Sequence, residues 1–267
     1  MKKPIKKPKI IKKFLYFSNS IGMIHTFKNW ILIPLSAFGF LDFRKGYFMK
    51  LKNGIIFKVI HIMDTLIINE IFNNNDYKIY KLKNHSTIID IGANIGVFSI
   101  YAANKNKTSK IFAFEPSQKT YNQLVENINL NGFENSIIPI KNAVGGKSGK
   151  IKLYDMGISG QRSVYKTRGE KKFESVKIIA LKDIFIKNNI KKCDLLKIDC
   201  EGAEYDILNN CPDDVFKNIK KITMEFHELI PEQNHNLLLD LLKLKGFKVK
   251  HWYHSIENDI GYIYARK

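Results

Sequence analysis

The stretch Ile88-Ile89-Asp90-Ile91-Gly92-Ala93-Asn94-Ile95-Gly96-Val97-Phe98-Ser99-Ile100-Tyr101 decides how the chain is read. An apolar, β-branched run ends on an acid, turns at two glycines and passes into a helical pattern. That order describes a buried strand, a tight turn and a helix N-terminus. Gly92 and Gly96 carry no Cβ, so the backbone can take positive φ and lie close against a ligand. The amides that open the helix after Gly96 face that ligand with their donors unpaired. The dinucleotide fingerprint G-x-G-x-x-G supplies a glycine triplet for a pyrophosphate. Here the order is Asp-x-Gly-x-Asn-x-Gly: the acid comes first and the triplet is missing, which argues against an NAD-dependent dehydrogenase.

Acid-first loops of this kind resemble those of class I S-adenosylmethionine-dependent methyltransferases. Such a site holds an amino-acid moiety, a sulfonium and an adenosine, so carboxylates matter more than phosphate-binding amides. The alternative is an ordinary strand-turn-helix corner of another α/β protein. A second strand, Lys110-Ile111-Phe112-Ala113-Phe114-Glu115-Pro116, again ends on an acid. Glu115 lies 19 residues beyond Gly96, near the ~20-residue spacing at which an acid meets a ribose hydroxyl in dinucleotide folds. Ser117 can cap the helix that follows, which runs through Leu124 and Leu130 and stops at Asn131-Gly132.

The third informative stretch is Cys193-Asp194-Leu195-Leu196-Lys197-Ile198-Asp199-Cys200-Glu201-Gly202-Ala203-Glu204. A strand ends on an acid once more, and Asp199, Glu201 and Glu204 give three carboxylates within six residues. Lys221 to Glu228 read as a further strand with His227 near its end. Asn236 to Leu244 are helical. Phe247 to Trp252 and Ile260 to Tyr264 are closing strands. Upstream, Tyr47 to Ile60 form a hairpin turning at Asn53-Gly54, and Thr65 to Phe72 a helix. Between Lys150 and Ala180, short alternating runs predict antiparallel strands around a polar loop holding Ser159-Gly160-Gln161-Arg162-Ser163. Strands alternating with helices mean a largely parallel sheet, whose site lies at the carboxyl ends of its strands. Asp90, Glu115, Asp199 and His227 converge there.

Composition excludes several classes. A 45% hydrophobic fraction with 12% aromatics is that of a globular chain. Cys193, Cys200 and Cys211 form no C-x-x-C pair, so neither a disulfide framework nor a zinc knuckle is indicated, and a reducing, cytoplasmic compartment is expected. Net charge is +19, with seven of those charges on the lysines of residues 1–13. So basic a chain is drawn to polyanions, although lysine, isoleucine and asparagine together also fit an A+T-rich genome. The clean apolar run from Ile31 to Leu41 has 11 residues, against about 20 for a bilayer span. Residues 1–45 are read as a basic tail and an apolar segment that packs on the domain as a cap, with peripheral contact to an anionic membrane as the alternative. Residues 46–267 form the second unit.

Together, Ile89 to Gly96, Phe114-Glu115-Pro116 and Lys197 to Glu204 resemble the FkbM family of methyltransferases over roughly residues 65–250. Cys200, where the family usually has a small aliphatic residue, is a mild departure. The resemblance implies an α/β, Rossmann-like class I methyltransferase fold: a mostly parallel seven-stranded sheet, helices on both faces and an antiparallel last strand, with an N-terminal extension outside it. It implies O-methyl transfer from S-adenosyl-L-methionine, in many members to sugar or natural-product hydroxyls. It puts Asp90, Gly92, Asn94 and Gly96 around the methionine part, Glu115 on the ribose, and Asn142, Ala143 and Val144 near adenine. Asp199 and Glu201 would face the acceptor.

Methyl transfer is an in-line displacement, so holding the acceptor oxygen at near-attack distance supplies most of the catalysis. A hydroxyl acceptor also gains from a base. Asp199 or His227 are the candidates, with Glu201 and Glu225 orienting them; an edge histidine satisfied by the fold is the plain alternative for His227. No fixed ligand spacing marks a metal site. Methylation of nucleic-acid bases is disfavoured, since no Asn/Asp-Pro-Pro-aromatic stretch follows the fourth strand and a row of carboxylates repels phosphates. The rival from another class is a non-catalytic binding protein that docks on anionic membrane or nucleic acid through its basic N-terminus. Retention of Asp90, Glu115, Asp199 and Glu201 together argues against it.

Overall fold

The computed structural model describes residues 22–75, 77, 79, 82–155, 162–163, 173–230, 232–254 and 259–267. The lysine-rich residues 1–13 and most of the polar loop around Ser159 lie outside them. Thirteen strands are present among the described residues: β1 Tyr47–Lys50, β2 Ile56–Val59, β3 Thr87–Ile91, β4 Lys110–Phe114, β5 Ile137–Ile140, β6 Ala143–Gly145, β7 Gly149–Asp155, β8 Arg162–Ser163, β9 Phe173–Ala180, β10 Leu195–Ile198, β11 Lys221–His227, β12 Lys248–Tyr253 and β13 Ile260–Arg266. Seven of them form the central sheet in the order β12-β13-β11-β10-β3-β4-β5. Strands β5, β4, β3, β10 and β11 pair in parallel, and β13 runs antiparallel between β11 and β12.

Period-2 alternation along β3 divides the core. Ile89 and Ile91 turn to one face with Phe112, Phe114, Leu196 and Ile198. Ile88 turns to the other, with Ile111, Ala113 and Leu195. Asp90 and Lys197 sit opposite each other in the β3–β10 register. The helix Val97–Lys105 covers that second face, buried from Val97 to Ala103. The helix Gln118–Leu130 starts as expected at Ser117, whose Oγ accepts from Thr120 N, and ends before Gly132 at φ 66°.

The insertion forms its own sheet, β6-β9-β7-β8. Its antiparallel β7–β9 pairing follows from the alternating runs, but β6 pairs with β9 in parallel, a long-range contact that leaves no local pattern. Upstream, the helix covers Ile62–Asn69 rather than starting at Thr65, because Asp64 Oδ2 accepts from the N–H groups of Ile60 and His61 at 3.0 and 3.2 Å. It continues into a π-helical turn, Glu70–Asn74, that closes at left-handed Asn75.

The packing does not divide at residue 45. Met23, Phe27, Ile33 and Phe43 are buried in the same cluster as Met49, Phe57, Ile88 and Phe98. Thr26 donates to Asn69 Oδ1 at 2.7 Å. The β1–β2 hairpin is held from the other side, where Asn127 and Asn131 accept from Lys58 N and Ile56 N at 2.8 and 2.9 Å.

Candidate active site

The turn after β3 and the turn after β10 meet at one atom-to-atom contact. A Cβ on Gly92 would stand 1.7 Å from the Asp199 carbonyl oxygen, and Gly92 holds φ at 73°. Only glycine lets the two turns approach this closely. Phe114 O accepts from both Gly92 N and Ala93 N, at 3.0 and 2.9 Å, which ties the first turn to the end of β4. The resulting cleft at the carboxyl ends of β3, β4 and β10 is walled by Gly92, Asn94, Glu115, Asn142, Ala143, Val144, Asp199 and Glu201 among others, with Phe114, Pro116 and Leu153 adding apolar surface.

Asp90 and Gly96 stand behind this wall rather than on it. Asp90 is fully buried. Its Oδ2 accepts from Ser99 Oγ at 2.7 Å and its Oδ1 lies 3.2 Å from Lys197 Nζ. Gly96 takes φ 91°, and a Cβ there would press on Leu124. Both residues shape the loop, whereas Gly92 and Asn94 line the cleft.

Glu115 is buried and uses both oxygens on the loop: Oε2 accepts from Asn94 N at 3.1 Å and Oε1 from Ser117 N at 2.9 Å. Both bonds hold the Glu115 carboxylate at the end of β4, on the cleft wall. Asn94 is in the left-handed region at φ 50°, and its buried side-chain Oδ1 has no hydrogen-bond partner. Buried acceptors without a donor are rare. An oxygen of this kind on a cleft wall fits a ligand ammonium group.

Lys197 organises the charges beneath the cleft. Its Nζ lies 2.7 Å from Gly92 O, 3.2 Å from Asp90 and 3.5 Å from Asp199 Oδ2. Burial opposes its charge, but Asp90 and Asp199 outweigh that and hold its pKa above the ordinary value. Tyr77 reaches the same group from a distant segment. Its backbone oxygen accepts from Thr223 Oγ1, and its ring packs edge-on to Phe98 and Tyr262. Tyr77 Oη lies 2.8 Å from Asp199 Oδ2 and 3.1 Å from Glu225 Oε2. A hydroxyl has one proton to donate. Burial, then the charge of Asp199, raises the Glu225 pKa well above the usual carboxylate value, and the Tyr77 hydroxyl stands between the two carboxyl groups.

His227 is buried beside this chain and is not part of the cleft wall. Its Nδ1 pairs with the fully buried Glu204 at 2.9 Å, while Nε2 lies 3.6 Å from Glu201 and 3.8 Å from Glu225. Burial works against the imidazolium, yet Glu204, Glu201 and Glu225 together raise its pKa well above the usual value. The three carboxylates thus favour the imidazolium over the free base. Glu201 does line the cleft. Burial in the first place, partly offset by His227, brings its pKa up to about 7. Its backbone is left-handed at φ 53°, followed by Gly202 at 100°, and Gln233 donates to Gly202 O at 2.8 Å to hold the turn. Cys200 lies beside it as a thiol, with burial raising its pKa well above ordinary. Among the described residues, no three His, Cys, Asp or Glu side chains are placed to hold a metal ion.

Two members of this constellation are given no role in the sequence reading, Tyr77 and Lys197. Lys197 left a signal, a lone lysine inside an apolar strand buried on both faces. Tyr77 left none, because it lies in an asparagine-rich connection far from the motifs.

Comparison with known proteins adds four findings. The model of the Methyltransferase FkbM domain matches residues 90–249. The chain is 26% identical over 213 residues to methyltransferase sdnD of Sordaria araneosa, covering 68% of this chain and 82% of that one. It is 24% identical over 155 residues to the hexuronic acid methyltransferase AglP of Haloferax volcanii, covering 58% and 62%. In fold it resembles the crystal structure of methyltransferase FkbM from Methylobacillus flagellatus, with a TM-score of 0.53 at 12% identity. That alignment covers 74% of this chain and 47% of the other, so the chain spans about half that neighbour's length.

Proposed function

The chain belongs to the FkbM family of S-adenosylmethionine-dependent methyltransferases, and we propose that it methylates a hydroxyl of a saccharide or small natural product. S-adenosylmethionine, when bound, supplies a methyl group made electrophilic by its sulfonium. In this reading Asn94 Oδ1 receives the ammonium of the methionine part and Glu115 the ribose hydroxyls. Asn142, Ala143 and Val144 flank the adenine, and Gly92 keeps the wall open.

Glu201 is the general base. It lines the cleft, and its pKa of about 7 lets it be ionised at neutral pH yet basic enough to take the acceptor's proton, a contribution of about 10²–10⁴-fold. Asp199, held by Tyr77 and Lys197, orients the acceptor hydroxyl. His227, held charged by Glu204, faces Glu201 and favours its ionised form. This assignment moves the base from Asp199 or His227 to Glu201, and the observation that carries it is Glu201's position on the wall with a near-neutral pKa.

Similarity to the hexuronic acid methyltransferase of Haloferax volcanii raises a second reading, a carboxylate acceptor on a uronic acid. A carboxylate needs no base, and Asp199 and Glu201 would repel it. Methyl transfer to a panel of neutral and acidic sugars, followed against pH, separates the readings. A hydroxyl acceptor gives a rate that rises through pH ~7, whereas a carboxylate acceptor gives no such limb. We place the reaction in a reducing compartment, in keeping with the free Cys193, Cys200 and Cys211, and at a membrane surface met through residues 1–45.

A further inference from the structure

The parallel strands have a second end. Opposite the active cleft, the amino ends of β3, β4, β10 and β11 border another cleft, of about 470 Å³. That size falls within the range of about 300–1,000 Å³ that small-molecule sites occupy. Its wall carries Lys83, Lys110, Lys191, Lys192 and Lys220, with His85 beside them, against one acid, Asp194.

These lysines are far apart in sequence, and the sheet gathers them. Lys83 precedes β3, Lys110 opens β4, Lys191 and Lys192 precede β10, and Lys220 precedes β11. In space those strands run β11-β10-β3-β4. Neighbouring strands stand about 4.8 Å apart, so the four strand starts set a row of cations roughly 14 Å long.

Asp194 does not neutralise the row. One carboxylate oxygen accepts from Thr87 N at 2.9 Å, and the other is held by the Lys220 ammonium. Among the described residues, Lys83, Lys110, Lys191 and Lys192 make no ion pair. Elsewhere Lys58, Lys243 and Lys245 each meet a carboxylate, of Glu126, Asp240 and Asp213. The excess charge reaches the next residue. Burial first, then Lys220, Arg266 and Lys83, hold the Lys221 pKa below its ordinary value against the pull of Asp194. The backbone beneath the row is fixed. Lys83 O accepts from Ser86 Oγ and Asn106 Nδ2, each at 2.6 Å, and Thr108 Oγ1 accepts from His85 N at 3.0 Å. Cys193 N donates to Asn218 O and Lys220 N to Cys193 O, both at 2.9 Å. Little backbone is left to order when a ligand arrives, which lowers the cost of binding.

We propose that this cleft binds a small molecule bearing two or more linked phosphates. Each lysine ammonium offers a point charge and three donors, chemistry suited to phosphate oxygens. A single phosphate meets only part of the row, whereas linked phosphates engage several of its lysines at once. The five residues of β3, about 16 Å of strand, separate this cleft from the methyl-transfer site. The inference therefore stands apart from the proposed function, and either can fail alone.

The full chain is titrated calorimetrically with inorganic diphosphate and with orthophosphate, with and without saturating S-adenosylhomocysteine. Salt is kept at about 0.15 M, which screens exposed charges beyond about 8 Å. Diphosphate is expected to bind at least about tenfold more tightly than orthophosphate, and equally well with S-adenosylhomocysteine present. Lys83→Glu/Lys192→Glu should weaken diphosphate binding by at least about tenfold at an unchanged melting temperature. The neutral pair Lys110→Gln/Lys191→Gln should weaken it in the same direction. Lys45→Glu/Lys50→Glu removes as much charge outside the cleft and should bind like wild type. Equal weakening by that control, wild-type binding by both cleft variants, or competition by S-adenosylhomocysteine would overturn the proposal. Binding of a short oligoribonucleotide without binding of diphosphate would overturn it as well, and assign the cleft to a nucleic-acid strand.

Discussion

Replacing Lys197 with methionine removes the ammonium that lies 3.2 Å from Asp90, a carboxylate with no exposed surface. Breaking a buried pair from one side costs about 3–5 kcal/mol, so Lys197→Met should lower the urea-unfolding free energy by that much. Asp90→Asn/Lys197→Met should recover most of it, because no lone charge remains. A single variant within about 1 kcal/mol of wild type would show that the pair does not carry the strand ends. Glu204→Gln addresses the other buried charge. Glu204 leads the groups that hold His227 charged, against the opposing effect of burial. Its loss should bring the His227 titration, read by NMR, down toward neutral pH and reduce turnover. An unmoved His227 titration would mean that Glu201 and Glu225 alone keep the ring charged. At this scale the sequence showed which acids end strands but not what each one faces. Asp90 and Glu115 look alike in sequence, yet the first is closed off by Ser99 and Lys197 while the second stands on the cleft wall. The difference comes from a neighbouring strand, which no local pattern contains.

Gly92 is where two elements constrain each other. A methyl there would meet Asp199 O at 1.7 Å, on a backbone already at positive φ. Gly92→Ala should therefore cost about 3 kcal/mol or more through backbone displacement. Gly149→Ala is the matched control. It is not at positive φ, its Cβ would meet Ile178 at an ordinary 3.7 Å, and about 0.5 kcal/mol either way is expected. Similar melting temperatures for the two variants would remove the Gly92–Asp199 contact from the account. Elements were the most legible level of this chain. Apolar runs ending on acids became β3, β4 and β10, and Ser117 caps its helix. What the residues could not announce were the parallel β6–β9 pair and the π turn at Glu70–Asn74. The first is fixed by a partner more than thirty residues away, and the second by a hydrogen-bond shift that the apolar spacing does not record.

Over the whole molecule, the proposed boundary at residue 45 and the packing make different predictions. Met23, Phe27, Ile33 and Phe43 share a core with Ile88 and Phe98. Removing residues 1–45 should therefore yield an unstable or insoluble chain, while removing 1–13 should preserve turnover on a soluble acceptor. Equal melting temperatures for the full chain and the 46–267 fragment would restore the two-unit division. Charge counting identified the basic N-terminus, but apolar spacing alone did not separate Ile33, which is buried, from Phe38, which is not. The central claim concerns Glu201, and it is tested by measuring turnover against pH for wild type and Glu201→Gln, with S-adenosylmethionine affinity determined on the same samples. A carboxyl accepts a proton only when ionised, so raising the pH through its pKa of about 7 switches the base on. Wild-type turnover should rise across that range. Glu201→Gln should lose the rise and about 10²–10⁴-fold in kcat, with cofactor affinity unchanged. A Glu201→Gln enzyme that keeps both the wild-type rate and the wild-type pH profile would contradict the account.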